Sequence, residues 1–114
     1  MLKQIVGRPL TAVEARTHVN EEVTVQLLVQ ATKNRLENRG EIFLDSEEDF
    51  RDEKNLAIVV TRTGAAKFLN DGVADPAVHF KGKTIQVHGT VVIKEDRPRI
   101  EVDDPRQIQI VDSR

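Results

Sequence analysis

The stretch Gly82-Lys83-Thr84-Ile85-Gln86-Val87-His88-Gly89-Thr90-Val91-Val92-Ile93 sets Ile85, Val87, Gly89, Val91 and Ile93 against polar partners at alternate positions. A side-chain period of two is that of a strand with one buried face, so a long strand is expected here. Gly89 falls in its middle, where a missing side chain marks a bulge or a sharp bend. Downstream, residues 94–99 read as a hairpin loop around Pro98, and Ile100 and Val102 open another strand. Asp103-Asp104-Pro105 interrupts that strand before Ile108 and Ile110 resume the alternation.

Upstream, Val23, Val25, Leu27 and Val29 alternate with Thr24, Gln26, Leu28 and Gln30, a first strand rich in β-branched residues. Residues 33–40 are polar and hold Asn34, Asn38 and Gly40, so a turn is expected. Ile42-Phe43-Leu44 make a second strand. The acidic residues 47–53 form a loop, with Phe50 tucked towards the core. Leu56-Ala57-Ile58-Val59-Val60 is almost wholly apolar and predicts a third strand covered on both faces. Residues 64–69 predict a short helix that Asp71-Gly72 and Asp75-Pro76 break. At the front, Thr11 with Glu14 three residues later is a capping box, opening a helix to about Val19 that buries Ala12 and Ala15. Asn20 can end it in a left-handed conformation.

The 114 residues fit one domain, 1–114. No apolar run nears the roughly 18 residues of a membrane helix. The absence of cysteine excludes disulfides, thiolate zinc sites and thiol nucleophiles. With 17 Lys and Arg against 19 Asp and Glu, no global positive field attracts nucleic acid. No leader is visible in residues 1–7, so the expected location is the cytoplasm, or the chain is a domain excised from a longer exported protein.

Helix, three strands, a short helix and two strands leave too few helices to cover both faces of a sheet. Closure into a small barrel solves this. In its leading helix, in Glu22-Val23-Thr24-Val25, in Glu41-Ile42-Phe43-Leu44, in residues 80–91 and in Arg97-Pro98-Arg99-Ile100-Glu101-Val102, the chain resembles a small bacterial OB-fold domain of the nucleic-acid-binding kind. The resemblance covers about residues 8–111. It implies a mostly β fold, a five-stranded Greek-key OB-type barrel with an N-terminal helix and a short helix between strands three and four. It also implies a binding face on strands two and three between two hairpin loops.

Lys33, Arg35 and Arg39 come from the first of those loops, and Lys94, Arg97 and Arg99 from the other. Such local charge suffices for phosphates, although Glu37, Glu41, Glu95, Asp96 and Glu101 dilute it. The acidic run 47–53 is expected on a different loop. If Ile42 and Leu44 point inward, Phe43 faces outward as a stacking surface. Phe68 and Phe80, like Phe50, are expected in the core.

His18, His79 and His88 lack metal-ligand spacing, and His88 is expected on the outer surface. The acidic loop fails the calcium pattern, with no glycine at its sixth position and Leu56 in place of the closing Glu. Neither Ser46 nor Ser113 has a nucleophile setting. The expectation is a non-catalytic module without metal or cofactor that binds single-stranded DNA or RNA weakly. The alternative is a protein-interaction module presenting an apolar patch of Leu28 and Val92, and a sugar or small ligand ranks last because Trp and Tyr are missing.

Overall fold

The computed structural model describes residues 8–111. Thr11 caps the first helix, α1 (Ala12–Ala15), through the reciprocal bonds of a capping box: the Glu14 amide donates to Thr11 Oγ1 at 3.1 Å, and the Thr11 amide donates to Glu14 Oε1 at 2.9 Å. The helix ends earlier than the expected Val19, because the sheet takes the following backbone. Val19 bridges Val91, and the Asn20 amide donates to the Val91 carbonyl at 2.7 Å. Asn20 is left-handed, as expected, with φ of 69°.

Strand β1 (Glu22–Leu28) pairs antiparallel with β5 (Thr84–Lys94), in register Val25 to Val87. Val23, Val25, Leu27 and Val29 are buried as the alternation predicted. The chain then bends. Val29 bonds Lys83 and Gly82 on one side, while Gln30 donates to the Asp45 carbonyl on the other, so backbone pairing passes from β5 to β3. Residues 33–40 are therefore not a simple turn. They hold the end of strand β2 (Ala31–Arg35) and a one-turn helix α2 (Leu36–Arg39), closed by Gly40 at φ 72°. The exposed polar side chains of β2 carry no alternation; its backbone pairing with β3 makes it a strand.

β3 (Glu41–Asp45) lies between β2 and β4 (Ala57–Thr61), and β4 runs parallel to β6 (Arg97–Val102), which pairs back onto β5. The neighbour order is β1-β5-β6-β4-β3-β2, with β7 (Ile108–Ile110) added beside β5. Seven strands thus stand where five were expected. The first expected strand is β1, the expected turn after it holds the end of the additional strand β2, and an Asp104-capped 3-10 turn at Pro105–Gln107 divides the last expected strand into β6 and β7. The two ends of the order, β1 and β2, are joined in the chain by Val29 and Gln30.

Helix α3 (Arg62–Asn70) follows β4 and is capped by Thr61. Asp75-Pro76, expected to break a helix, begins another, α4 (Pro76–Phe80): Asp75 caps it, and proline at the first position needs no amide partner. Phe68 of α3 and Phe80 of α4 meet edge to face at 5.7 Å and are buried, as expected. With Ala12 and Ala15 they join the core around Val25, Ile42, Leu44, Ile58, Ile85, Val87 and Ile100. The expected 94–99 loop is a two-residue turn, Glu95 and Asp96 at φ 54° and 65°, so Lys94, Arg97 and Arg99 are strand residues. Towards that turn the alternation fades: Ile93 is exposed and Val92 half-buried, so Val92 adds little to an apolar patch with exposed Leu28. Among the described residues no helix is long and apolar enough to cross a membrane.

Candidate functional site

Paired residues on neighbouring strands share a face, and the register makes the outer face of β2, β3, β4 and β6 one surface. Lys33 lies opposite Phe43, Phe43 opposite Val59, and Val59 opposite Glu101. Arg35 faces Glu41, and Ala57 faces Arg99. Ile42 and Leu44 are fully buried, so Phe43 points outward as expected.

A groove of about 410 Å³ lies over this face. Lys33, Arg35, Arg39, Phe43, Lys94, Arg97 and Arg99 all line it. Eight cationic and five acidic residues border it, a local positive excess on a chain of net charge −2.

The six expected cations fall into two groups. Arg99 is only 5% exposed, and its Nη1 donates to Glu41 Oε2 at 2.9 Å, with Glu101 at 3.5 Å. Its guanidinium lies 5.6 Å from the centre of the Phe43 ring. Glu41 also receives Arg39 at 3.7 Å and Lys94 at 4.0 Å, and Arg39 reaches Glu95 at 3.3 Å. Arg39, Lys94 and Arg99 are therefore held by carboxylates. Lys33, Arg35 and Arg97 have no carboxylate oxygen within 4.0 Å among the described residues.

The β3–β4 connection forms the other wall. It is stapled at its base by a buried polar cluster, in which Asn55 Nδ2 donates to Asp45 at 3.1 Å. Asn55 Oδ1 accepts the Glu47 amide at 2.9 Å, and Ser46 Oγ accepts the Leu56 amide at 2.9 Å. Burial pushes the Asp45 carboxyl above its ordinary pKa, opposed by the Asn55 bond and by Lys33. The staple folds the connection over the groove. The acidic run is on a different connection, as expected, yet its Asp52 and Glu53 also line the groove.

Phe50 also differs from its expected core position. It is 47% exposed and lines the groove. Lys33, Arg97 and Arg51 lie 5.4, 5.3 and 5.9 Å from its ring centre, and its carbonyl accepts from Arg97 Nη1 at 3.3 Å. The sequence offered one signal for this, a single aromatic among charged residues with no periodicity to carry it inward. Arg16 and Arg51, unremarked in the sequence, line the groove as well. Arg51 bonds Asp49 at 3.1 Å and holds its carboxyl below the usual range.

The histidines lie elsewhere. His88 is exposed, as expected, and meets Glu22 and Thr24 at 3.1 Å, while His18 meets Glu21 at 3.0 Å. Among the described residues no three His, Cys, Asp or Glu side chains gather as metal ligands would.

No family model matches the sequence, and no curated protein does. Solved structures do match in shape. Asparaginyl-tRNA synthetase from Pyrococcus horikoshii aligns over 90% of this chain and 23% of its own, at 14% identity and a TM-score of 0.60. Aspartyl tRNA synthetase from Entamoeba histolytica aligns over 87% and 20%, at 17% identity and 0.55. The OBody AM1L10, solved bound to hen egg-white lysozyme, aligns over 96% of this chain and 100% of its own, at 9% identity and 0.61. The chain spans under a quarter of either synthetase. At these identities the likeness is one of architecture, a mostly β OB-type fold.

Proposed function

We propose that this chain is a non-catalytic OB-type module that binds single-stranded nucleic acid in the groove over β2, β3, β4 and β6. In this reading β1 and β2 count as one bent strand, β7 is an accessory, and the remaining ladder closes as a five-stranded Greek-key barrel. The observation that carries the function is the convergence of Lys33, Arg35 and Arg97, none with a carboxylate within 4.0 Å among the described residues, beside two outward aromatics. Phosphates need local cations, and unpaired bases need flat faces. The tRNA synthetases of like fold act with a nucleic acid, which agrees with this reading.

Fluorescence titration with a labelled single-stranded oligonucleotide tests it. Lys33, Arg35 and Arg97 as three phosphate contacts predict a log–log salt slope of about −2, or roughly a 20-fold loss of affinity between 50 and 200 mM salt. Arg35→Ala with Arg97→Ala flattens the slope. Undetectable binding at low salt overturns the proposal.

A second reading, a protein-interaction module, draws on Leu28 at 49% exposure and on the OBody bound to lysozyme. Leu28→Asp then abolishes capture of the protein partner while oligonucleotide binding is unchanged.

A further inference from the structure

We infer that Phe50 forms a base-stacking subsite of the groove, with Lys33 and Arg97 as its phosphate-holding flanks. The inference rests on the nucleic-acid reading above and names the part of the ligand that this corner takes, an unpaired nucleobase with its adjoining phosphate.

A single exposed phenylalanine is ordinary on a protein surface. The setting of Phe50 is not. The buried Asp45, Ser46 and Asn55 cluster fixes the base of its loop, and its own carbonyl is bonded to Arg97 from β6. The ring is thus held at the groove while almost half of the residue stays open to solvent. Cations from two other elements, Lys33 of β2 and Arg97 of β6, lie within 5.4 Å of its centre, drawn by the negative face of the ring. Neither has a carboxylate within 4.0 Å among the described residues, so both can turn to a ligand anion, although Asp45 attracts Lys33 and Asp49 attracts Arg97 from farther off.

Phe43 contrasts with it. It is half-buried, and the guanidinium of Arg99 lies 5.6 Å from its ring, fixed there by Glu41. A base reaching that position meets Arg99 as well as the ring. At Phe50 a base also meets cations over the ring, Lys33 at 5.4 Å and Arg97 at 5.3 Å, but no carboxylate within 4.0 Å among the described residues ties them there. The ring and the flat guanidinium of Arg97 both stack on any base. The ligand chemistry that fits is a planar π-system joined to an anion. A nucleotide of a single strand has that form, and a base pair inside a duplex does not offer its face.

The probes are fluorescein-labelled hexathymidylate and the same sugar–phosphate chain without bases. Phe50→Leu keeps apolar bulk but removes the aromatic face. It is expected to weaken hexathymidylate binding by about 5- to 150-fold, and to leave binding of the abasic chain within twofold of wild type. The chain contains no tryptophan, so Phe50→Trp adds a single emitter at the subsite. Its fluorescence should be quenched by hexathymidylate and not by the abasic chain. Circular dichroism checks that each variant is folded, and the Trp variant keeps the test open should the Leu variant unfold. Wild type that binds hexathymidylate while Phe50→Leu binds it equally well overturns the subsite and leaves the nucleic-acid reading standing. Equal loss on both probes overturns stacking too, because Phe50 then only holds Lys33 and Arg97. Wild type that fails to bind hexathymidylate at low salt overturns the underlying reading itself.

Discussion

Glu41→Gln is expected to move stability and ligand affinity in opposite directions. Glu41 lies on β3 and gathers Arg99 at 2.9 Å, Arg39 at 3.7 Å and Lys94 at 4.0 Å. Arg99 is 5% exposed, so it depends on this carboxylate for most of its compensation. Removing one partner of a buried ion pair costs about 3–5 kcal/mol when nothing replaces it. Here the Gln carbonyl still accepts the Arg99 bond, and Glu101 remains at 3.5 Å. The loss is then the difference between a charged and a neutral acceptor, about 1–2 kcal/mol. For a domain of this size that lowers the melting temperature by roughly 4–10 °C. The same change removes one negative charge from beside the groove and frees Lys94, while Arg39 stays with Glu95 at 3.3 Å. One charge several ångströms from a phosphate in a partly wet site contributes roughly 0.5–1.5 kcal/mol, a two- to tenfold gain in oligonucleotide affinity at low salt. Thermal melts by circular dichroism and anisotropy titrations measure the two effects. A Gln variant as stable as wild type refutes the role of Glu41 as counter-ion to a buried arginine. A destabilised variant that binds no more tightly refutes the competition between Glu41 and ligand phosphate.

Gly64→Ala would place a Cβ 2.3 Å from the Val102 carbonyl oxygen, a backbone atom that cannot move aside, so urea unfolding should show a loss of about 1–3 kcal/mol or more. Gly89→Ala meets the Ile100 side-chain methyl at 2.7 Å and should cost less; the reverse ranking would mean that α3 is not seated on the end of β6. Asp45 has a raised folded pKa, so its contribution to stability is complete below pH 3.8 and is lost as pH rises through the raised value. Asp45→Asn fixes the uncharged form and should melt higher than wild type at pH 7, the advantage closing below pH 4; a lower melting temperature at pH 7 would mean that attraction to Lys33 outweighs burial. Glu14 behaves oppositely: Arg8 and the Thr11 amide hold it at about 2, so its contribution is present above pH 4.5 and is lost as pH falls through 2. Arg8→Ala should therefore reduce the acid sensitivity of the melting temperature between pH 4.5 and 2.

The alternation of Val23 to Val29 and of Ile85 to Val91 was enough to place two strands and their inward faces, whereas Ile42-Phe43-Leu44, apolar throughout, placed a third strand and left its inward face to the register. A residue on a pleated strand has two choices of face, and apolar side chains decide between them locally. Capping is equally local, which is why Thr11 and Glu14 were legible as a helix start. The seven candidate groove residues could be collected from the sequence only through the resemblance to a fold that brings two connections together; the structure puts all seven on one groove.

What the chain order could not supply was everything set by partners remote in sequence. Strand β2 has no apolar pattern and exists because β3 offers it a backbone ladder. Arg99 and Arg97 are two residues apart on one strand, yet one is buried against Glu41 and the other lies exposed beside Phe50. Phe50 stands outside the core because a buried polar staple between Asp45 and Asn55 turns its loop back over the sheet. Periodicity reports which face a side chain takes; its charge partners and its exposure are set by the strands and loops that tertiary packing lays against it.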